Sequence, residues 1–239
     1  MASRLRGKTA LITGAGQGIG LAIARALAAE GCNVVLSGRR ETPLNKAAKE
    51  IAKLRVQVLP VVCDVRNEDQ VTALLAATKQ RFRRLDILVN NAGVAHPNLT
   101  VDGLPTKDWR AVIDTNLTGM FLVTRAALPL MKRGGTIANN LSVAAKRVFP
   151  GMSAYTAAKH GGLGFTKTLR EELRSKGIRV VALLPGATDT EIWDSFWPDA
   201  PKKKMMSPAT IAQAALNAIL LPENCTMEEV IIGPTAGPL

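Results

Sequence analysis

Short runs of aliphatic and β-branched residues recur along the chain, separated by longer stretches in which apolar residues return every three or four positions. Seven runs predict strands, at residues 9–13, 33–37, 56–62, 87–90, 135–141, 178–184 and 230–232. They are apolar throughout instead of alternating, the pattern of strands covered by helices on both faces of a parallel sheet. The intervening stretches predict helices over 19–29, 68–82, 109–131 and 154–175, with a last one opened by Ser207-Pro208. Gly31 is placed to end the first helix, Asn67 to cap the second, and Pro208 to occupy a first helical position. Parallel strands need crossover connections, and these are right-handed. The predicted architecture is therefore α/β: a single-domain, doubly wound Rossmann-type fold around a parallel sheet of about seven strands. Ligands of such sheets bind beyond the carboxyl ends of the strands, where the strand order reverses. The dinucleotide-binding half is expected over about 1–93 and the catalytic and substrate-binding half over about 94–239. Residues 185–206 lack periodicity and predict a functional loop, with a lid over about 187–206.

Length and composition agree with one core. The chain has 239 residues, of which 47% are hydrophobic, enough for one substantial α/β domain and too few for two. No apolar run approaches the roughly 18 residues that span a bilayer. The basic stretch 1–8 precedes a brief apolar run ending at Gly14, which predicts a buried strand and not a secretory signal. Three cysteines, Cys32, Cys63 and Cys225, and only two histidines, His96 and His160, predict reduced core thiols, a cytoplasmic protein and no metal site. The net charge of +12 favours anionic partners. Its charges are scattered, however, and the clusters at 79–84 and 202–204 lack the aromatic interleaving of a nucleic-acid surface.

The chemistry-bearing residues cluster at strand ends. Gly14, Gly16, Gln17, Gly18, Ile19 and Gly20 follow the first strand and open a helix. Glycines there allow a tight turn, close approach of backbone to a pyrophosphate, and close helix–strand packing. Asn90-Asn91-Ala92-Gly93 follows the fourth strand, and Asn116 lies in the long helix. Ser142 follows the fifth strand and precedes Tyr155 by thirteen positions. Tyr155, the only tyrosine, and Lys159 are i and i+4 on one helix face. A nearby ammonium is expected to lower the phenol's pKa and make it a usable acid or base. Pro185-Gly186, with Thr188 and Thr190, follows the sixth strand.

These motifs, in this order and over most of the chain, resemble the short-chain dehydrogenase/reductase superfamily. The resemblance implies an NADP-dependent carbonyl reductase or alcohol dehydrogenase. A nicotinamide would deliver hydride while Tyr155 passes the proton, Ser142 holds the substrate oxygen and Lys159 binds the ribose and tunes Tyr155. Asn116 would position a relay water. The glycine turn, Asp64, Val65, Asn90, Ala92, Gly93, Tyr155, Lys159, Pro185, Gly186, Thr188 and Thr190 would bind the cofactor. Relatives that use NAD place an acid where Gly38 stands; here Arg39, assisted by Arg40, offers guanidinium donors to a 2′-phosphate, so NADP is expected over NAD.

Ser142, Ala144, Tyr155, Trp193, Phe196 and Trp197 are the expected substrate pocket, with the three lid aromatics suiting an apolar or acyl carbonyl compound. The broad resemblance is to 3-oxoacyl-[acyl-carrier-protein] reductases, which implies an acidic carrier protein meeting Lys132, Arg133 and Lys176. The C-terminal Ile231-Ile232-Gly233-Pro234 departs from that pattern. A homotetramer through helices 109–131 and 154–175 is implied, with a dimer second. Two other readings stand beside this one: a dehydrogenase of a polyol, sugar or steroid alcohol, and a non-catalytic NADP-binding sensor. The complete Ser142, Tyr155 and Lys159 set argues against the sensor.

Overall fold

The computed structural model describes residues 4–237. The readings for the first three residues and the last two lie outside that range. Seven strands run β1 (Thr9–Thr13), β2 (Asn33–Gly38), β3 (Val58–Val62), β4 (Leu85–Asn90), β5 (Met131–Asn140), β6 (Arg179–Pro185) and β7 (Glu229–Ile232). They form one sheet in the order β3-β2-β1-β4-β5-β6-β7, every pairing parallel. The order reverses between β1 and β4, which opens a crevice at their carboxyl ends.

Helices α1 (Gly18–Ala29), α2 (Glu41–Ala52) and α7 (Pro208–Ile219) cover one face. Helices α3 (Glu68–Phe82), α5 (Gly119–Ala127) and α6 (Ser153–Arg174) cover the other, with α4 (Thr106–Ile113) leading into α5. The pleat sorts the strand residues: Ala10 and Ile12 face α1 and α7, whereas Leu11 joins the cluster containing α3, α5 and α6. Because both faces are covered, Ala10, Leu11 and Ile12 are consecutive apolar residues, and Thr9 and Thr13 at the strand ends are buried as well.

Two parts of the helical prediction change. Helix α2 was absent from it; only Leu44, Ala47 and Ile51 are buried, a three-residue stripe too sparse to stand out among lysines and glutamates. The continuous helix over 109–131 is instead α4, a π turn at Asp114–Thr118, α5, and a 3-10 turn at Leu128–Leu130, with Met131 already in β5. At the π turn the Gly119 N–H bonds Asp114 O, and a Cβ on Gly119 would stand 2.6 Å from Val65 Cγ2. Pro129, lacking an N–H, ends the helix.

A polar ladder threads the core: Asn90 Nδ2 donates to Thr124 Oγ1 (2.9 Å) and Asn139 Oδ1 (2.8 Å), and Asn139 Nδ2 donates to Thr166 Oγ1 (2.9 Å). It ties α5, β4, β5 and α6 together below the crevice. Cys32 and Cys63 are buried free thiols as expected, but Cys225 is exposed rather than a core residue. Among the described residues no helix is long and apolar enough to cross a membrane. Leu88, fully buried at the centre of β4, should cost about 2–5 kcal/mol when replaced by alanine, through lost burial and the cavity left behind. Urea denaturation with an unchanged m-value would show it; a loss under 1 kcal/mol would contradict the packing described.

Candidate active site

The glycine turn is a cradle shaped for an anion. Gly14 and Gly18 hold φ of +64° and +54°, which side-chain-bearing residues rarely adopt. Gln17 precedes α1 without a side-chain cap, and no acid stands in the first turn, so the helix presents unsatisfied N–H groups and the positive end of its dipole. Across the crevice the turn is sewn to the segment after β4. Thr13 Oγ1 accepts the N–H groups of Asn91 and Ala92 (2.9 and 3.0 Å), and Asn91 Nδ2 donates to Thr13 O (2.9 Å). Asn140 Nδ2 then donates to Asn91 Oδ1 (2.8 Å), and Lys159 Nζ donates to Asn140 O (3.2 Å). A continuous seam thus joins the glycine turn to the lysine of α6. Asn91, although part of the motif after β4, and Asn140 were absent from the expected site residues; their partnership joins two strand ends that are distant in sequence.

A cleft of about 980 Å³ runs over these strand ends. Every expected site residue lines it except Gly20, Asn90 and Asn116. Gly20 acts by packing instead: a Cβ there would collide with Asn91 Nδ2 and Gly14 O. Asn90 points into the polar ladder, away from the cleft. The Asn116 amide is committed to the Val94 backbone, accepting from its N–H (2.8 Å) and donating to its carbonyl (2.9 Å). Its side chain therefore braces the segment after Gly93.

Ser142, Tyr155 and Lys159 do meet. Ser142 sits at the end of β5, where its Oγ also accepts the Ala144 N–H (3.1 Å), and it reaches the Tyr155 phenol. Lys159 Nζ is 5.4 Å from the centre of the Tyr155 ring. Electrostatics differ from the expectation of a phenol lowered by the ammonium. Burial pushes Tyr155 up to about 12, with the Ser142 hydrogen bond opposing. Burial also brings Lys159 down to about 8. The lysine has thus lost its charge before the phenol ionises, and desolvation wins. At neutral pH the pair is a protonated phenol beside an ammonium.

At the other end of the cleft the groups fit a phosphorylated dinucleotide. A Cβ on Gly38 would meet nothing nearer than Leu44 at 3.6 Å. The Cβ of an acid therefore has room there, and what its absence removes is negative charge. Arg39 is exposed and makes no side-chain hydrogen bond or ion pair among the described residues; Arg40 donates to Gln17 Oε1. Asp64 is clamped by Arg66 through Nε and Nη2 (3.0 and 2.6 Å), which holds its carboxyl below the usual range.

The loop after β6 returns on itself, with Thr188 bridged to Met206. Its aromatics stack as one unit: Trp193 lies 4.7 Å from Phe196 and 6.2 Å from Trp197, centre to centre, and donates Nε1–H to Thr188 O (2.8 Å). Thr188 Oγ1 donates to Gly186 O, and Thr190 lies over Gly18.

Lys159 makes a prediction about stability. Its pKa falls from 10.5 in the unfolded chain to about 8 in the fold. Between those values the unfolded chain binds more protons, so folding stability gains from this group as pH rises through that window. Lys159→Met lacks the gain. Its stability relative to wild type should fall by on the order of 3 kcal/mol from pH 8 to 10.5. Parallel pH–stability curves from denaturant titrations would contradict the buried ammonium.

Residues 8–201 match the family model described as short chain dehydrogenase. A 3-oxoacyl-[acyl-carrier-protein] reductase of Synechocystis sp. (strain ATCC 27184 / PCC 6803 / Kazusa) is 42% identical over 195 residues, 80% of this chain and 78% of that protein. Among solved structures, the alcohol dehydrogenase of the archaeon Thermococcus sibiricus, complexed with 5-hydroxy-NADP, superposes with a TM-score of 0.91 at 31% identity, covering 97% of this chain and 98% of that one. A short chain dehydrogenase from Burkholderia cenocepacia J2315, in complex with NADP, gives 0.89 at 29% identity, covering 98% and 99%. With fold, motifs and site geometry all agreeing, this chain belongs to the short chain dehydrogenase family of oxidoreductases.

Proposed function

We propose that the enzyme uses NADP(H) to reduce a carbonyl to a secondary alcohol, and to run the reverse, with Tyr155 as the general acid or base. One observation carries the reading: two hydroxyls, Ser142 and Tyr155, lie within hydrogen-bonding reach on the cleft wall, backed by the buried Lys159 ammonium and facing the glycine turn. Bound NADPH supplies the hydride. The glycine turn and the α1 N-terminus would hold the pyrophosphate, and Arg39 and Arg40 would hold the 2′-phosphate. Relatives of known structure carry NADP, which supports the same preference here. Ser142 donates a hydrogen bond to the substrate oxygen and stabilises its developing charge. Tyr155, protonated at neutral pH, gives that oxygen its proton, and Lys159 holds the cofactor's ribose. In the oxidising direction Tyr155 would take the alcohol's proton as tyrosinate, a form that Lys159 alone does not secure.

The aromatic lid supports an apolar or acyl carbonyl substrate over a sugar, and the 42% identical relative supports a 3-oxoacyl thioester. Lys132, Arg133 and Lys176 gather at the amino ends of β5 and β6, where Gly134 N–H bonds Gly177 O. That is the end of the sheet opposite Ser142, roughly 20–25 Å along β5. An acidic carrier docked on them would have to span that distance to reach this cleft. A homotetramer built on α4, α5 and α6 is supported by the half-exposed Trp109 and Phe121 and by the open space at Gly164. Free cysteines accord with a cytoplasmic site.

Two outcomes test the reading. Tyr155→Phe should lower kcat by about 10²–10⁴-fold while NADPH affinity, measured by fluorescence titration, stays the same. Unchanged turnover would sink the assignment. Gly38→Asp combined with Arg39→Asn should move the preference from NADPH towards NADH, because a carboxylate repels a 2′-phosphate and can accept from ribose hydroxyls. A kcat/KM ratio for the two cofactors that does not move would rule out this end of the cleft as the discriminator.

A further inference from the structure

Four basic side chains line the cleft, Arg39, Arg40, Arg147 and Lys159, and two acidic ones, Asp64 and Glu191. Five of these six have a place in the cofactor half. Asp64 is clamped by Arg66, and Glu191 lies at the glycine turn, with Oε2 3.6 Å from where a Gly18 Cβ would stand. Arg147 is the remaining one. It belongs to the segment between Ser142 and Tyr155, five residues past the serine. Its backbone N–H bonds Val143 O (3.0 Å), which folds that segment back towards Ser142. Even fully extended, five residues reach no more than roughly 17 Å.

The two consecutive cations at this turn are treated differently. Lys146 is paired with Glu229, which also takes Lys167 at 3.3 Å. Arg147 is exposed, lines the cleft and makes no hydrogen bond or ion pair among the described residues. Phe149, Pro150 and Met152, which line the cleft and follow it closely in sequence, are apolar, as are the lid aromatics. A cleft whose lining combines two hydroxyls, a group of apolar side chains and one exposed, uncommitted guanidinium has a defined chemical complement.

We propose that Arg147 is a specificity-determining residue, and that the substrate is an apolar or aromatic carbonyl compound bearing a terminal anion, a carboxylate or a phosphate. The inference rests on the carbonyl-reductase reading and adds the charge of the substrate to it. The forked guanidinium pairs with the anion as the carbonyl reaches Ser142 and Tyr155, anchoring the far end of the molecule without touching the reacting atoms.

The test is a set of matched pairs assayed with NADPH: aliphatic and aromatic keto acids against their methyl esters, and a 3-oxoacyl phosphopantetheine against the 3-oxoacyl pantetheine lacking the phosphate. In one series the anionic member should exceed its neutral partner in kcat/KM by about tenfold, and which series does so identifies the anion. Arg147→Gln should bring that ratio near one through a raised KM for the anion, leaving kcat on the neutral partner and NADPH affinity unchanged; Arg147→Lys should retain part of it. Equal turnover of both members by the wild type, or a preference that survives Arg147→Gln, overturns the proposal. If neutral partners are still reduced and Tyr155→Phe abolishes that, the reductase reading stands and only the anion is refuted. Tight NADPH binding with no turnover in any pair overturns both.

Discussion

The site depends on a hydrogen-bonded seam that crosses the sheet where its strand order reverses. Thr13 receives the backbone of the loop after β4, Asn91 returns a bond to the glycine turn, Asn140 holds Asn91, and the Asn140 carbonyl holds the Lys159 ammonium. Four separate strand or helix ends are thereby fixed relative to one another. A parallel sheet leaves such a crevice at its switch point whatever the sequence. What this sequence adds is a polar lock that sets the distance between an anion cradle and a catalytic helix.

Burial and charge oppose each other at the end of that lock. Enclosing Tyr155 and Lys159 raises the one to about 12 and lowers the other to about 8, so each is held nearer its neutral form than in water. The fold tolerates a buried ammonium because the Asn140 carbonyl accepts from it. The arrangement favours a proton donor when no further cation is near, and becomes responsive to one placed beside the ring. The same low polarity that makes the groups costly to bury makes the charge of a bound ligand count for more.

The strands, the glycine turn and the meeting of Ser142, Tyr155 and Lys159 were legible because each announces itself locally: apolar runs, residues placed at strand ends, and a tyrosine and lysine one helical turn apart. Helix α2 was not, since its three buried positions are outnumbered by charged ones. Nor was the π turn at Asp114–Thr118, where a close approach between Gly119 and Val65, residues far apart in sequence, replaces the regular helix. Asn90 and Asn116 were assigned to the site by their motifs, yet one belongs to a core ladder and the other braces Val94. A motif identifies which residues gather near the crevice. Which way an amide faces depends on partners that only the folded chain brings close.

The central claim is that the phenol's ionisation is governed by burial and by the positive charge around it. Tyr155 is the only tyrosine, so tyrosinate absorbance reports it without ambiguity. In the ligand-free enzyme the phenol should titrate at about 12, and saturating oxidised NADP should move that titration towards neutral pH, by less when Lys159 is replaced by methionine. A titration near the free-tyrosine value that is indifferent both to NADP and to Lys159 would contradict the account.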